Sequence, residues 1–159
     1  MWYNRPQQPE LQYGERRMYW GEYCHHLDDK GRLIIPARFR PNLDDGAILT
    51  RGLDRNLVIY PQTAWQSVTK RLNQMPITHP TARALRRLLF SGAVELSLDR
   101  QGRMLIPGYL RAYAGLNDEV LIAGMETFLE LWEPSGWRTT LEDVPHTLAE
   151  AQHLVELGI

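Results

Sequence analysis

Cysteine occurs once in the 159 residues, as Cys24. No internal disulfide can therefore staple the fold, and cysteine used so sparingly fits a reducing compartment. Long apolar runs are missing as well. Runs such as 33–35 and 120–123 fall far short of the roughly 20 residues needed to cross a bilayer. Residues 1–17 are polar and rich in Pro and Gln, with no basic stretch leading into an apolar one. No signal peptide and no membrane association are expected, and the expected location is the cytoplasm. Excess charge of either sign is also lacking, the formal net being −1. That average is low for a nucleic-acid binder, since such domains are usually basic. What is present is 43% apolar residues, enough to bury one core or two small ones and to exclude a disordered or collagen-like chain.

The near-neutral balance is uneven. Residues 1–80 carry 11 basic and 8 acidic side chains, and residues 81–159 carry 7 and 11. Positive charge is thus concentrated in the first half.

An internal repeat organises the chain. Leu27-Asp28-Asp29-Lys30-Gly31-Arg32-Leu33-Ile34-Ile35-Pro36 matches Leu98-Asp99-Arg100-Gln101-Gly102-Arg103-Met104-Leu105-Ile106-Pro107 at an offset of 71, which Arg40 and Arg111 keep. One extra residue then moves the offset to 72, matching Gly52 with Gly124, Leu57 with Leu129, Tyr60 with Trp132 and Trp65 with Trp137. Each copy predicts a short strand (22–26; 93–98), an Asp-x-x-Gly-Arg turn, and a second strand ending at proline. A short helix starts at that proline, where a missing N–H is no loss. Two further strands follow (47–51 and 57–60; 119–123 and 128–132). Between the copies, apolar residues at helical spacing predict helices over 62–74 and 81–90. A last helix is expected after Pro145, with Leu148, Ala151, Leu154 and Val155 on one face, and residues 1–17 are expected to be a disordered arm.

The repeated turn has a structural explanation: Asp caps it, Gly supplies a positive φ, and Arg pairs with Asp. It has a functional one too. Such a turn sets Arg32 and Arg103 at a sheet edge, where a guanidinium can reach phosphate or a guanine edge in the major groove of DNA. The copies differ in charge around it. Residues 30–55 hold Lys30, Arg32, Arg38, Arg40, Arg51 and Arg55 against three Asp, whereas residues 101–127 hold only Arg103 and Arg111 against Asp118, Glu119 and Glu126. The first copy is the one expected to meet phosphate, with Lys30, Arg38 and Arg40 as its contacts.

Met18-Tyr19-Trp20-Gly21-Glu22, the paired Leu-Asp-x-x-Gly-Arg motifs, Leu49-Thr50-Arg51-Gly52-Leu53-Asp54, Tyr60-Pro61 with Trp65, and Leu88-Leu89-Phe90-Ser91-Gly92-Ala93 together resemble the MraZ family, bacterial regulators of the division and cell-wall gene cluster. The resemblance runs in unbroken order over residues 18–137. It implies an α+β, mainly β fold: a tandem AbrB-like swapped-hairpin double-psi β-barrel pseudo-dimer with intervening and C-terminal helices. The corresponding domains are 22–65 and 93–137, joined by a helical connector at 66–92 and followed by a helical tail at 138–159. It also implies sequence-specific binding to double-stranded DNA as a transcriptional regulator in the nucleoid, with Asp28, Gly31 and Arg32, and in a lesser role Asp99 and Arg103, at the contact position. A homo-oligomeric ring presenting several such units to repeated promoter boxes upstream of its own operon is implied as well, and it would explain the low net charge, because avidity can replace a strongly basic surface. The family begins close to the position of Met18, so residues 1–17 are expected to be an extension or Met18 a usable start. If the arm is translated, Arg5, Arg16 and Arg17 add phosphate contacts.

Other constellations are weaker. Alternation on a strand puts Cys24, His26 and Asp28 on one face, a conceivable zinc set and the basis of a least-favoured hydrolase reading, but nothing else supports it. No metal, cofactor or small-molecule substrate is expected. No nucleophile elbow, phosphate-cradling loop or dinucleotide fingerprint is present, and Glu95 with Asp99 is an ordinary solvated pair, so no enzyme is expected. Trp65, Trp132 and Trp137 recur with the repeat and are expected in packing. Arg83, Arg86 and Arg87 are expected on a solvated or subunit-facing helix surface rather than on DNA. The alternative from a different class is an oligomeric protein-binding adaptor of the AbrB type, as antitoxins are.

Overall fold

Strands of three to six residues around two Asp-x-x-Gly-Arg turns cannot bury a face alone, and here the two repeats bury each other's. The computed structural model describes residues 18–150. The arm 1–17 and Ala151, Leu154 and Val155 lie outside them. The first repeat supplies β1 (Glu22–His26), β2 (Arg32–Ile34), a 3-10 helix (Ala37–Asn42), β3 (Ala47–Arg51) and β4 (Leu57–Pro61). Helices α1 (Gln62–Gln74) and α2 (Pro80–Gly92) follow. The second repeat supplies β5 (Val94–Leu96), β6 (Arg103–Leu105), α3 (Gly108–Ala114), β7 (Glu119–Gly124) and β8 (Leu129–Trp132), and α4 (Pro134–Glu150) closes the described chain. The fold is mixed α and β, mainly antiparallel β.

The pairing crosses between repeats. Six strands form one sheet in the order β1-β7-β8-β4-β3-β5, and β2 and β6 form a separate two-stranded ribbon. Strand β1 pairs with β7 of the second repeat, while β5 pairs with β3 of the first. In the middle, Val58 lies opposite Glu130, and in the ribbon Leu33 lies opposite Met104, so residues meet their own repeat counterparts. An internal pseudo-twofold axis passes through both pairs.

Register revises one sequence match. Leu49 pairs with Ile59 and Ile122 with Leu131, and Arg51 and Gly124 face the equivalent residues Leu57 and Leu129. Gly124 therefore takes the place of Arg51 rather than of Gly52, two residues being added before β7 and one removed from the turn after it.

The core lies between the inner face of the large sheet and the ribbon. Leu49, Leu57, Ile59, Ile122, Leu129 and Leu131 meet Leu33, Ile35, Met104 and Ile106, with Phe39 and Leu110 of the short helices filling the sides. A smaller cluster of Leu121, Ala123, Trp132 and Trp137 holds the start of α4 on the outer face. Trp132 and Trp137 are thus packed, their ring centroids 5.5 Å apart, and Trp65 sits against Tyr60 and Phe90. Trp20 is exposed.

Two helices depart from expectation for identifiable reasons. The helix after Pro36 is 3-10, whereas its counterpart after Pro107 is α. Pro41 lies inside the first and has no N–H for an i→i−4 bond; the second repeat has Ala112 there. Helix α4 begins at Pro134 rather than after Pro145. The Glu133 carboxylate accepts bonds from the Ser135 hydroxyl and the Gly136 N–H and so caps its start. Pro145 falls inside, where residues 138–149 are all exposed and water can take the carbonyl its missing N–H leaves open. Among the described residues no helix is long and apolar enough to cross a membrane.

Candidate functional site

Each Asp-x-x-Gly-Arg turn is closed by its own aspartate. Asp28 Oδ1 accepts the backbone N–H groups of Lys30 and Arg32 at 2.9 Å each, and its Oδ2 accepts Arg32 Nε at 2.6 Å. The Gly31 N–H reaches the Asp28 carbonyl at 3.0 Å. Asp99 repeats the pattern with the N–H groups of Gln101 and Arg103 at 2.9 and 3.0 Å and Arg103 Nε at 2.8 Å. Both guanidinium groups are thereby aimed before any ligand arrives, since an Arg fork held at Nε keeps its terminal nitrogens in a fixed plane.

The two turns are built into one another. The Ile35 N–H donates to the Gly102 carbonyl at 2.9 Å, and the Ile106 N–H to the Gly31 carbonyl at 3.0 Å. Arg40 Nε donates to the Ile35 carbonyl at 2.8 Å and Arg111 Nε to the Ile106 carbonyl at 3.0 Å. Each of these arginines lies against the glycine of the opposite turn. A Cβ on Gly102 would stand 2.2 Å from the Arg40 guanidinium carbon, and one on Gly31 would stand 2.8 Å from that of Arg111. Arg103 reaches across the axis to within 4.0 Å of the Asp28 carboxylate. Arg111 carries no role that its sequence neighbours suggest, though the offset it shares with Arg40 points to one.

These glycines have φ of 78° (Gly31) and 75° (Gly102), in the left-handed region. Gly102→Ala combines that penalty with displacement of Arg40. The expected loss is about 1–3 kcal/mol of unfolding free energy, measured by denaturant titration. A loss under roughly 0.5 kcal/mol would show that the turn is not held in this conformation.

The sequence-predicted residues divide into two groups. Asp28, Gly31, Arg32, Asp99 and Arg103 come together around the pseudo-twofold axis, with Lys30 exposed on the first turn. Arg38 is exposed and donates to the Tyr23 hydroxyl at 2.8 Å. Arg40 is half-buried and braces the second turn rather than standing free. On the helical pair, Arg86 donates to the Leu72 and Met75 carbonyls and Arg83 to those of Ile77 and Thr78, so both cap the end of α1 and the loop after it. Among the described residues no three metal-ligating side chains converge. The Asp28 carboxylate is committed to its turn, and His26 Nδ1 lies 3.1 Å from Asp118.

The carboxyls of Asp28 and Asp99 titrate below the ordinary aspartate range. The largest cause is the backbone N–H of Arg32 or Arg103, followed among the stabilising contacts by the arginine side chain. A depressed folded-state pKa contributes stability above the unfolded value and loses it as pH falls through the folded one. The turns should stay closed from neutral pH down to about 4 and open only below that, which amide hydrogen exchange at Arg32 and Arg103 would report. Opening already near pH 6 would show that these bonds do not hold the turns.

The comparisons match this duplicated architecture. A family model described as "MraZ protein, putative antitoxin-like" matches twice, over residues 18–88 and 89–154. A protein of Herpetosiphon aurantiacus named "Transcriptional regulator MraZ" is 46% identical over 143 residues, 89% of this chain and 100% of its own length. One of the same name from Roseiflexus castenholzii is 46% identical over 141 residues, 88% of this chain and 99% of its own. A third, from Moorella thermoacetica, is 51% identical over 120 residues, covering 76% and 84%.

Proposed function

Because the chain belongs to the MraZ family, we propose that it is a transcriptional regulator that binds double-stranded DNA sequence-specifically through the paired Asp28/Arg32 and Asp99/Arg103 turns. One observation carries this reading. Two guanidinium groups, each pre-aimed by its own aspartate, lie diagonally across a two-stranded ribbon, and the major groove admits an element of that size. Arg32 contributes most, because Lys30 and the exposed Arg38 lie in the same repeat and can meet phosphate. Gly31 and Arg40 serve by holding the turns in shape.

The finer features follow the same reading. The exchange of β1 and β5 between repeats supports a swapped-hairpin double-psi barrel, with domains 22–65 and 93–137 joined by the connector 66–92 and followed by the tail 138–159. A homo-oligomeric ring on repeated boxes ahead of its own operon, in the division and cell-wall cluster, supplies the avidity a near-neutral unit needs. The exposed Leu141, Val144 and Leu148 of α4 offer apolar surface for such an assembly. The reading places the protein on the nucleoid. Arg5, Arg16 and Arg17 of the arm would add to phosphate binding.

The test is an electrophoretic shift of the full chain on the DNA directly upstream of its own reading frame, with scrambled competitor. Retention of the upstream DNA against excess competitor is expected. Equal binding to both sequences, or to neither, would refute sequence-specific regulation and favour the antitoxin-like protein-binding adaptor.

A further inference from the structure

The ribbon carries two side chains that neither the turn nor the core accounts for. Ile34 is 41% exposed and Leu105 59% exposed, whereas their neighbours Leu33 and Met104 are buried. Strand alternation puts Arg32 and Ile34 on one face of β2, and Arg103 and Leu105 on one face of β6. The register sets Arg32 opposite Leu105 and Ile34 opposite Arg103. The outer face of the ribbon is therefore a checkerboard of two guanidinium groups and two aliphatic side chains, related by the pseudo-twofold axis.

A solvent-facing ribbon has no need of large aliphatics, and this pair occupies the same position in both repeats. Lys30 and Arg100, both exposed on the flanking turns, surround the apolar pair with positive charge. The carboxylates of Asp28 and Asp99 are taken up within the turns. An apolar partner protein would have to desolvate these charges, whereas DNA supplies phosphates for them and, in the major groove, one apolar group for the aliphatics: the C5-methyl of thymine. We propose that Ile34 and Leu105 are specificity-determining residues that read thymine methyl groups beside the bases contacted by Arg32 and Arg103. This rests on the DNA-binding reading above and adds thymine to the bases that the site distinguishes.

Deoxyuridine tests the contact directly, because it pairs as thymine does and lacks only the methyl. The duplex upstream of the reading frame is prepared with thymine or wholly with deoxyuridine, and each is titrated with the full chain and with the Ile34→Ala/Leu105→Ala double variant against scrambled DNA. The unaltered protein should bind the deoxyuridine duplex about fourfold more weakly for each methyl lost from contact. The variant should bind the thymine duplex more weakly than the unaltered protein does and be indifferent to the exchange. Its melting temperature should be unmoved, both side chains being exposed. Specific binding by the unaltered protein that ignores the exchange would overturn the proposal and leave the regulator reading standing. So would a variant that stays as sensitive as the unaltered protein, since the methyl contact would then lie elsewhere. Absence of any preference for the upstream DNA would instead refute the regulator reading, and the proposal with it.

Discussion

Replacing Arg32 with Ala is expected to weaken binding to the upstream promoter DNA about 5- to 150-fold, without unfolding the protein. A bidentate contact between arginine and a base contributes about 1–3 kcal/mol of discrimination, which sets that range. Simultaneous engagement of several copies would push the loss toward its upper end. Stability should hardly change. The Asp28–Arg32 ion pair has partly exposed side chains, and Asp28 keeps its bonds to two backbone N–H groups when the guanidinium is gone. A pair this open to water adds little to stability, so the melting temperature should move by no more than roughly 2–4 °C. Arg32→Lys should recover part of the affinity for any DNA but little of the preference for the promoter, because the charge is restored and the planar fork is not. Fluorescence anisotropy against specific and scrambled duplexes separates these effects. Full promoter affinity in Arg32→Ala would remove the first turn from the interface.

The largest expected loss of stability comes from Leu33→Ala. Leu33 is fully buried and sits opposite Met104 on the pseudo-twofold axis, so truncation opens a cavity where the two repeats meet. Removing a buried leucine costs about 2–5 kcal/mol, which for a chain of this size lowers the melting temperature by roughly 10 °C. Because Leu33 is flanked on its strand by Arg32 and Ile34, DNA affinity should fall with it, in contrast to Arg32→Ala, where affinity falls alone. Thermal unfolding and denaturant titration measure the first effect. A shift of less than about 1 kcal/mol would mean that the ribbon is not packed on the sheet as described.

Much of this architecture is written in the repeat. The Asp-x-x-Gly-Arg turns, the prolines ending the second strands and the offset shared by Arg40 and Arg111 all have structural counterparts. The crossing of β1 to β7 and of β5 to β3 has no sequence signal, because strands of three to six residues hold too few positions to name a partner. The match of Gly52 to Gly124 fails because two residues added before β7 are followed by a turn one residue shorter, a change that only backbone pairing reveals. Pro145 looked like a helix start because proline favours that position, but the cap was Glu133, twelve residues earlier. At the candidate site, the types and spacing of Asp28, Arg32, Asp99 and Arg103 were legible. The use of Arg40 and Arg111 as braces was not, since a long side chain's destination depends on the repeat packed against it. Ile34 and Leu105 were hidden within runs of consecutive apolar residues, where alternation cannot show which side chain faces out.

The most direct test of the paired turns as the DNA-contacting element is the salt dependence of promoter binding, compared between the unaltered chain and the Arg32→Ala/Arg103→Ala double variant. Log affinity should fall steeply and linearly with log salt concentration for the unaltered chain, because phosphate contacts release counterions. The double variant should bind far more weakly and with little preference for the promoter over scrambled DNA, its remaining salt dependence coming from Lys30 and Arg38. A double variant that keeps the affinity, slope and sequence preference of the unaltered chain would contradict the assignment.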